Sequence, residues 1–131
     1  MKKLFALFLL FTATVTLHAQ TSGPNNNDVV FTIAQHMPRF NGDMSKYISD
    51  NIKYPEAERK AGLSGTVYVT FVVEKDGSVT GVRVLRGVPK APGLDAEALR
   101  VIKSMPAWTP GMQEGKKVRV QFNVPIKFEL K

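Results

Sequence analysis

Two close pairs of carboxylates, Glu56 with Glu58 and Asp95 with Glu97, are spaced as general acid–base work would need them. Each pair stands where a helix is expected to begin. Carboxylates there offset the partial positive charge of the helix N-terminus without any catalytic role. Serine, histidine and aspartate all occur, but the sequence holds neither G-x-S-x-G nor H-E-x-x-H. Cysteine is absent, which removes disulfides, thiolate metal sites and a thiol nucleophile. His36 is the one histidine beyond the first twenty residues and has no second ligand for a metal. An enzyme is the disfavoured class, and no catalytic residue, metal or cofactor is expected.

The chemistry that remains belongs to the backbone. Residues 117–131 read K-V-R-V-Q-F-N-V-P-I-K-F-E-L-K, with Val118, Val120, Phe122, Val124, Ile126, Phe128 and Leu130 alternating against polar residues. A period of two buries one row and leaves the other in water. The run is far longer than the usual strand of about five or six residues. Pro125 cannot donate to a ladder, which favours a sheet edge or a bulge. A long edge strand exposes a row of backbone donors and acceptors to which a second chain can add. The plainer reading is an edge protected from aggregation by Lys117, Arg119 and Lys127.

Other elements must hold that strand in place. Asp43 is a plausible cap for a helix over residues 44–51, and Pro55 opens a further helical turn that Gly62 stops. Residues 66–74 form a strand apolar on both faces and therefore central. The Lys75-Asp76-Gly77 turn returns the chain into a second strand over 79–86, with a bulge near Gly81. Residues 94–105 carry Leu94, Ala98, Val101, Ile102 and Met105 at helical spacing, and Pro106 ends that helix. Residues 107–115 read as a connection. Together these give an α+β fold: a three-stranded antiparallel sheet with two main helices on one face, the first strand in the middle and the last strand on the edge opposite the second.

A chain of 131 residues is expected to form one domain. Its net charge of +7 includes Lys2 and Lys3. These open a segment that reads as a secretory signal over residues 1–19, with an apolar stretch over 4–17 and Ala19 before the expected cut. Fourteen residues of helix span roughly 21 Å, short of a hydrocarbon core of about 30 Å. Residues 20–42 read as a short flexible lead and 43–131 as the domain. Export to the periplasm disfavours nucleic acid as the partner of the basic surface.

Four segments carry a family resemblance. Y-P-E-A-E-R-K-A-G-L-S-G-T-V from Tyr54 is similar to the pattern Y-P-x-x-A-x-x-x-G-x-x-G-x-V. It is followed by V-T-F-V-V with D-G-S-V, by L-D-A-E-A-L-R from Leu94, and by M-P-A-W-T-P-G from Met105, continuing to V-P-I-K-F at Val124. In this order they resemble the C-terminal domain of TonB energy transducers. The stretch V-F-T-I-A-Q-H-M-P-R-F-N-G is similar to the lead-in of Bacteroidetes-type members.

The resemblance implies a domain that grips the extended TonB-box segment of an outer-membrane receptor by strand addition at its last strand, in TonB-dependent transport. It also implies contacts from the segment before Tyr-Pro. The expected peptide-binding residues are Asn51, Lys53 and Tyr54 with Arg119, Gln121, Asn123 and Lys127; many members carry glutamine where Asn51 stands. Tyr54 and Trp108 read as core anchors before they read as peptide contacts. Full transducers add an uncleaved N-terminal helix and a long proline-rich linker. The 23 residues of 20–42, reaching about 80 Å at most, are not expected to supply that linker. Two alternatives stand: a homodimer formed by pairing of two last strands, and a short membrane-anchored transducer if the leader is retained.

Overall fold

Alternation of apolar and polar residues builds the sheet in the computed structural model, which describes residues 29–131. In chain order the elements are β1 (Val30–Phe31), α1 (Met44–Asn51), α2 (Glu56–Lys60), β2 (Gly65–Val73), β3 (Val79–Arg86), α3 (Pro92–Lys103), β4 (Gly111–Gln113) and β5 (Lys116–Phe128). The expected leader and residues 20–28 lie outside the described residues.

β2 is the central strand. It pairs antiparallel with β3 on one side and with β5 on the other. Val67, Val69, Phe71 and Val73 fill its buried row, and Val124, Ile126 and Phe128 of β5 continue that row. Leu94, Ala98 and Ile102 of α3 close over it. The expected three-stranded antiparallel arrangement is therefore present as β3–β2–β5, within an α+β fold. Two short strands and a helical turn extend it. β1 runs parallel to β5 on the side away from β2, β4 forms a hairpin with the start of β5, and α2 adds a third helix.

The turns behave as their residues dictate. Asp43 caps α1 by accepting from the Lys46 N–H at 3.1 Å. Gly81, at φ 59°, supplies the extra residue where β3 slips against β2 between Thr70 and Val72, a bulge at the expected place. α3 begins at Pro92 rather than Leu94, because a proline at the first helical position loses no hydrogen bond. It ends before Met105, since the residue preceding Pro106 is driven out of the helical region. β4 replaces part of the connection expected over 107–115; three residues among prolines and glycines carry too little alternation to be read as a strand.

The described part of the 20–42 lead is bonded to the rest of the domain. His36 and Met112 exchange backbone hydrogen bonds of 3.0 and 2.8 Å, and Arg39 and Thr109 do the same at 3.0 and 2.8 Å. The Gln35 side chain accepts from the Glu114 N–H at 2.8 Å. Polar composition alone suggests a loose segment. The unpaired backbone of β4 gives it something to bind.

An aromatic cluster holds the loop after α3 against the sheet. Trp108, only 3% exposed, meets Phe40, Phe71 and Phe122 edge-on, with ring centroids 5.6, 5.4 and 5.2 Å away. Its backbone N–H donates to the Gly77 carbonyl at 2.8 Å. A Cβ on Gly77 would lie 2.0 Å from the Trp108 carbonyl oxygen, so the β2–β3 turn requires glycine for this approach.

α3 has no side-chain cap of its own, since Ala91 stands at the N-cap. Glu58 of α2, 7% exposed, supplies the acceptor instead and takes the Gly93 N–H at 2.6 Å. Glutamate stands here where the pattern given above has alanine. Replacing Glu58 with alanine is expected to destabilise the domain by about 1–2 kcal/mol, the range for loss of a helix cap. That corresponds to roughly 4–16 °C in the melting temperature of a domain this small. An unchanged melting curve for Glu58→Ala would show that α3 is capped by other means.

Candidate functional site

The outer side of β5 is where this fold leaves backbone unsatisfied. β2 pairs with β5 without a slip from Val73 opposite Val120 to Gly65 opposite Phe128. On the other side β1 reaches only Arg119 and Val120. Among the described residues, no strand pairs with that outer side beyond Val120.

Pro125 fixes which groups point there. It sits opposite Tyr68 inside the unbroken ladder. A proline is tolerated there only where its missing donor would have faced away from the partner strand. Backbone groups alternate from side to side along an antiparallel strand. Gln121, Asn123, Pro125 and Lys127 therefore direct their backbone outward, each with a carbonyl and all but Pro125 with an N–H. The opposite edge of the sheet is different. β3 slips twice against β2, between Tyr68 and Val69 and between Thr70 and Val72, and such irregularities twist an edge away from further pairing.

The expected binding residues lie on the two faces of the sheet, not in one cluster. Arg119, Gln121, Asn123 and Lys127 stand on the face without helices. Arg119 is opposite Val30, in the stretch β1 covers, and its Nε donates to Glu74 at 2.7 Å. Gln121 donates from its amide to the Thr70 hydroxyl at 3.0 Å, and exposed Lys127 pairs with Glu129 at 2.6 Å. Asn123 is exposed and has no hydrogen bond among the described residues.

Asn51, Lys53 and Tyr54 stand on the helix side. The Tyr54 hydroxyl donates to the Leu63 carbonyl and its ring meets Phe128 edge-on at 5.7 Å, so it anchors the core over the end of β5. The Asn51 amide donates to the Tyr47 carbonyl at 2.7 Å, closing the last turn of α1.

Sequence reasoning missed what positions residues 51–53. The Lys53 N–H donates to Glu97 Oε1 at 2.9 Å, and Arg100 Nη2 donates to the Asn51 carbonyl at 2.8 Å. Arg100 Nε also donates to Glu97 Oε2 at 2.9 Å, so one ion pair on α3 clamps the segment from both ends. The Arg100 guanidinium holds the Glu97 carboxyl below the usual glutamate range, against burial that pushes it up. Arg119 does the same for Glu74, which also accepts from Thr80. In the sequence Glu97 reads as a carboxylate at a helix start, and its three-residue spacing from Arg100 is the one available sign of a pair.

The family model for the C-terminal region of the Gram-negative bacterial TonB protein matches residues 50–130. The chain belongs to the TonB C-terminal family. Protein TonB from Helicobacter pylori is 33% identical over 84 residues, 64% of this chain and 28% of the relative, in each of two strains. The chain thus spans well under a third of the length of these curated relatives. The solution structure of the Helicobacter pylori TonB C-terminal domain is 29% identical and superposes with a TM-score of 0.51, covering 66% of this chain and 77% of that one. The Pseudomonas aeruginosa TonB domain, at 22% identity and a TM-score of 0.51 over 79% of this chain and 94% of that one, shares the fold. This is not a family of enzymes, and membership is consistent with a part in TonB-dependent transport. β1 and most of α1 precede the matched region.

The Glu97–Arg100 clamp makes the loop before Tyr54 sensitive to acid. A carboxyl whose pKa is lowered by folding stabilises the fold fully above its unfolded pKa. It loses that contribution as pH falls through the lower, folded value. Protection of the Lys53 amide against hydrogen exchange is therefore expected to fall in acid, below the ordinary glutamate range. It should fall about tenfold or more at neutral pH in Glu97→Ala, as for loss of a hydrogen bond to a charged acceptor. Amides of Val67 and Val69 should keep their protection. Equal protection of Lys53 in the variant and the parent would remove the clamp from this account.

Proposed function

We propose that this chain is a periplasmic peptide-binding domain that takes the TonB-box segment of an outer-membrane active transporter as an added strand on β5. The observation that carries the reading is the regular edge of β5 beyond Val120, which no described strand covers, set against the doubly irregular edge of β3. A docked strand would complete the backbone hydrogen bonds that β5 leaves open. One row of its side chains would meet Gln121 and Asn123 on the open face, and the other would face the helix side, where Tyr54 lies over the end of β5. Among the described residues no helix is long and apolar enough to cross a membrane, and no cluster of three metal-ligating side chains occurs.

Strand addition draws its affinity from main-chain hydrogen bonds and its selectivity from side-chain pockets. Titration calorimetry with a synthetic receptor-box peptide is expected to show binding that a proline in the middle of the peptide abolishes. Alanine at Gln121 or Asn123 should weaken binding by less than about 1 kcal/mol each, the scale of one cross-strand side-chain pair. Equal binding of the proline-substituted peptide would reject strand addition. A sedimentation run in which the chain self-associates and the peptide does not bind would favour pairing of two β5 edges.

A further inference from the structure

β1 lies on the same side of β5 as the proposed docking edge. Val30 stands opposite Arg119 and Phe31 opposite Val120, in parallel. The lead thus already does to β5 what a guest strand would do, and beyond this pairing that side of β5 is uncovered. We infer that β1 is a displaceable occupant of the docking edge: an internal strand that shortens the stretch of β5 open to a guest and competes with any guest reaching Val120. This rests on the strand-addition reading above.

Three features make β1 displaceable. It is two residues long, against nine paired positions between β2 and β5. Phe31 packs only on a satellite cluster of Ala34, Val118 and Val120, apart from the main core. After Phe31 the chain bends away from β5, leaving Ile33 80% exposed, although V-V-F-T-I is a strand-forming run. The bonds of His36 to Met112 and of Arg39 to Thr109 hold the lead downstream, so β1 can leave without loosening the domain. The same tether keeps β1 at high effective concentration beside its site, which a guest must overcome.

The phase of β5 names the reporters. The amides of Arg119 and Gln121 point outward beside β1, whereas those of Val120 and Val124 point to β2. In the full chain, Phe31→Pro removes a backbone donor from β1, and Phe31→Asp, as a milder second variant, places a charge on Val118 and Val120. Either is expected to lower the exchange protection of Arg119 and Gln121 at least tenfold while Val67 and Val69 keep theirs. The probe is a synthetic peptide of residues 28–34, added at millimolar concentration and followed by NMR. It should shift the resonances of residues 119–124 in the variants and leave the parent largely unchanged.

Identical shifts in parent and variants, no shifts in either, or unaltered protection of Arg119 and Gln121 would each overturn the inference. The docking reading fails separately. A receptor-box peptide that binds the parent and the variants with one affinity and one footprint leaves that reading intact and removes β1 from it. A receptor-box peptide that binds neither removes the docking reading, and the competition between β1 and a guest falls with it.

Discussion

The nine-position ladder between β2 and β5 is the constraint from which the rest of this structure follows. It commits one side of β5 completely, and the proline within it forces the remaining backbone groups to the other side. It also fixes the faces. The apolar row of β5 must lie with Val67, Val69, Phe71 and Val73 beneath the helices, which leaves Gln121, Asn123 and Lys127 in water. A slip of one residue would turn every one of these side chains over, so the register is held by the whole core rather than by any single contact.

The open edge is therefore a by-product of how the core is built, and the neighbouring elements limit its reach. β1 closes it at Val120, Pro125 interrupts its donors, and Lys127 carries a charge beside it. Each device is a known way to discourage uncontrolled edge-to-edge pairing. What is left is a short stretch suited to one extended segment. On the helix side, the position of residues 51–53 depends on an ion pair of α3 rather than on their own side chains. Surface ion pairs are usually worth little. This one matters because both partners also bond backbone, and the Glu97 side chain is only 12% exposed.

Much of the fold could be read directly from periodicity. The unbroken alternation after Lys117 located β5, the doubly apolar run identified β2 as central, and the phase break at Val79, Val82 and Val84 located the bulge at Gly81. Asp43 announced its helix because a cap is a local event. Contacts joining distant segments were not legible. β4 is three residues whose strand character comes from its partners. The pairing of His36 with Met112 spans most of the domain. Glu58 gave no sign of reaching Gly93, since its place beside Glu56 fitted an ordinary dipole pairing. The expected site residues divided in the same way: the long last strand was visible, while their placement on opposite faces of the sheet and the engagement of Arg119 by Glu74 required the folded chain.

The contact between Glu58 and Gly93 also constrains how this sequence can drift. A Cβ placed on Gly93 would lie 2.2 Å from the Glu58 carboxylate, so a larger residue at 93 would push that carboxylate off the amide it caps. Removing the glutamate opens that space and at the same time strands the amide it served. The two positions are thus bound in an epistatic pair, each substitution harmful in the background where the other has not yet occurred. Lineages that keep alanine at the first position are under no such restriction at the second, and a comparison of homologues should find the two sites changing together, although 35 residues separate them along the chain.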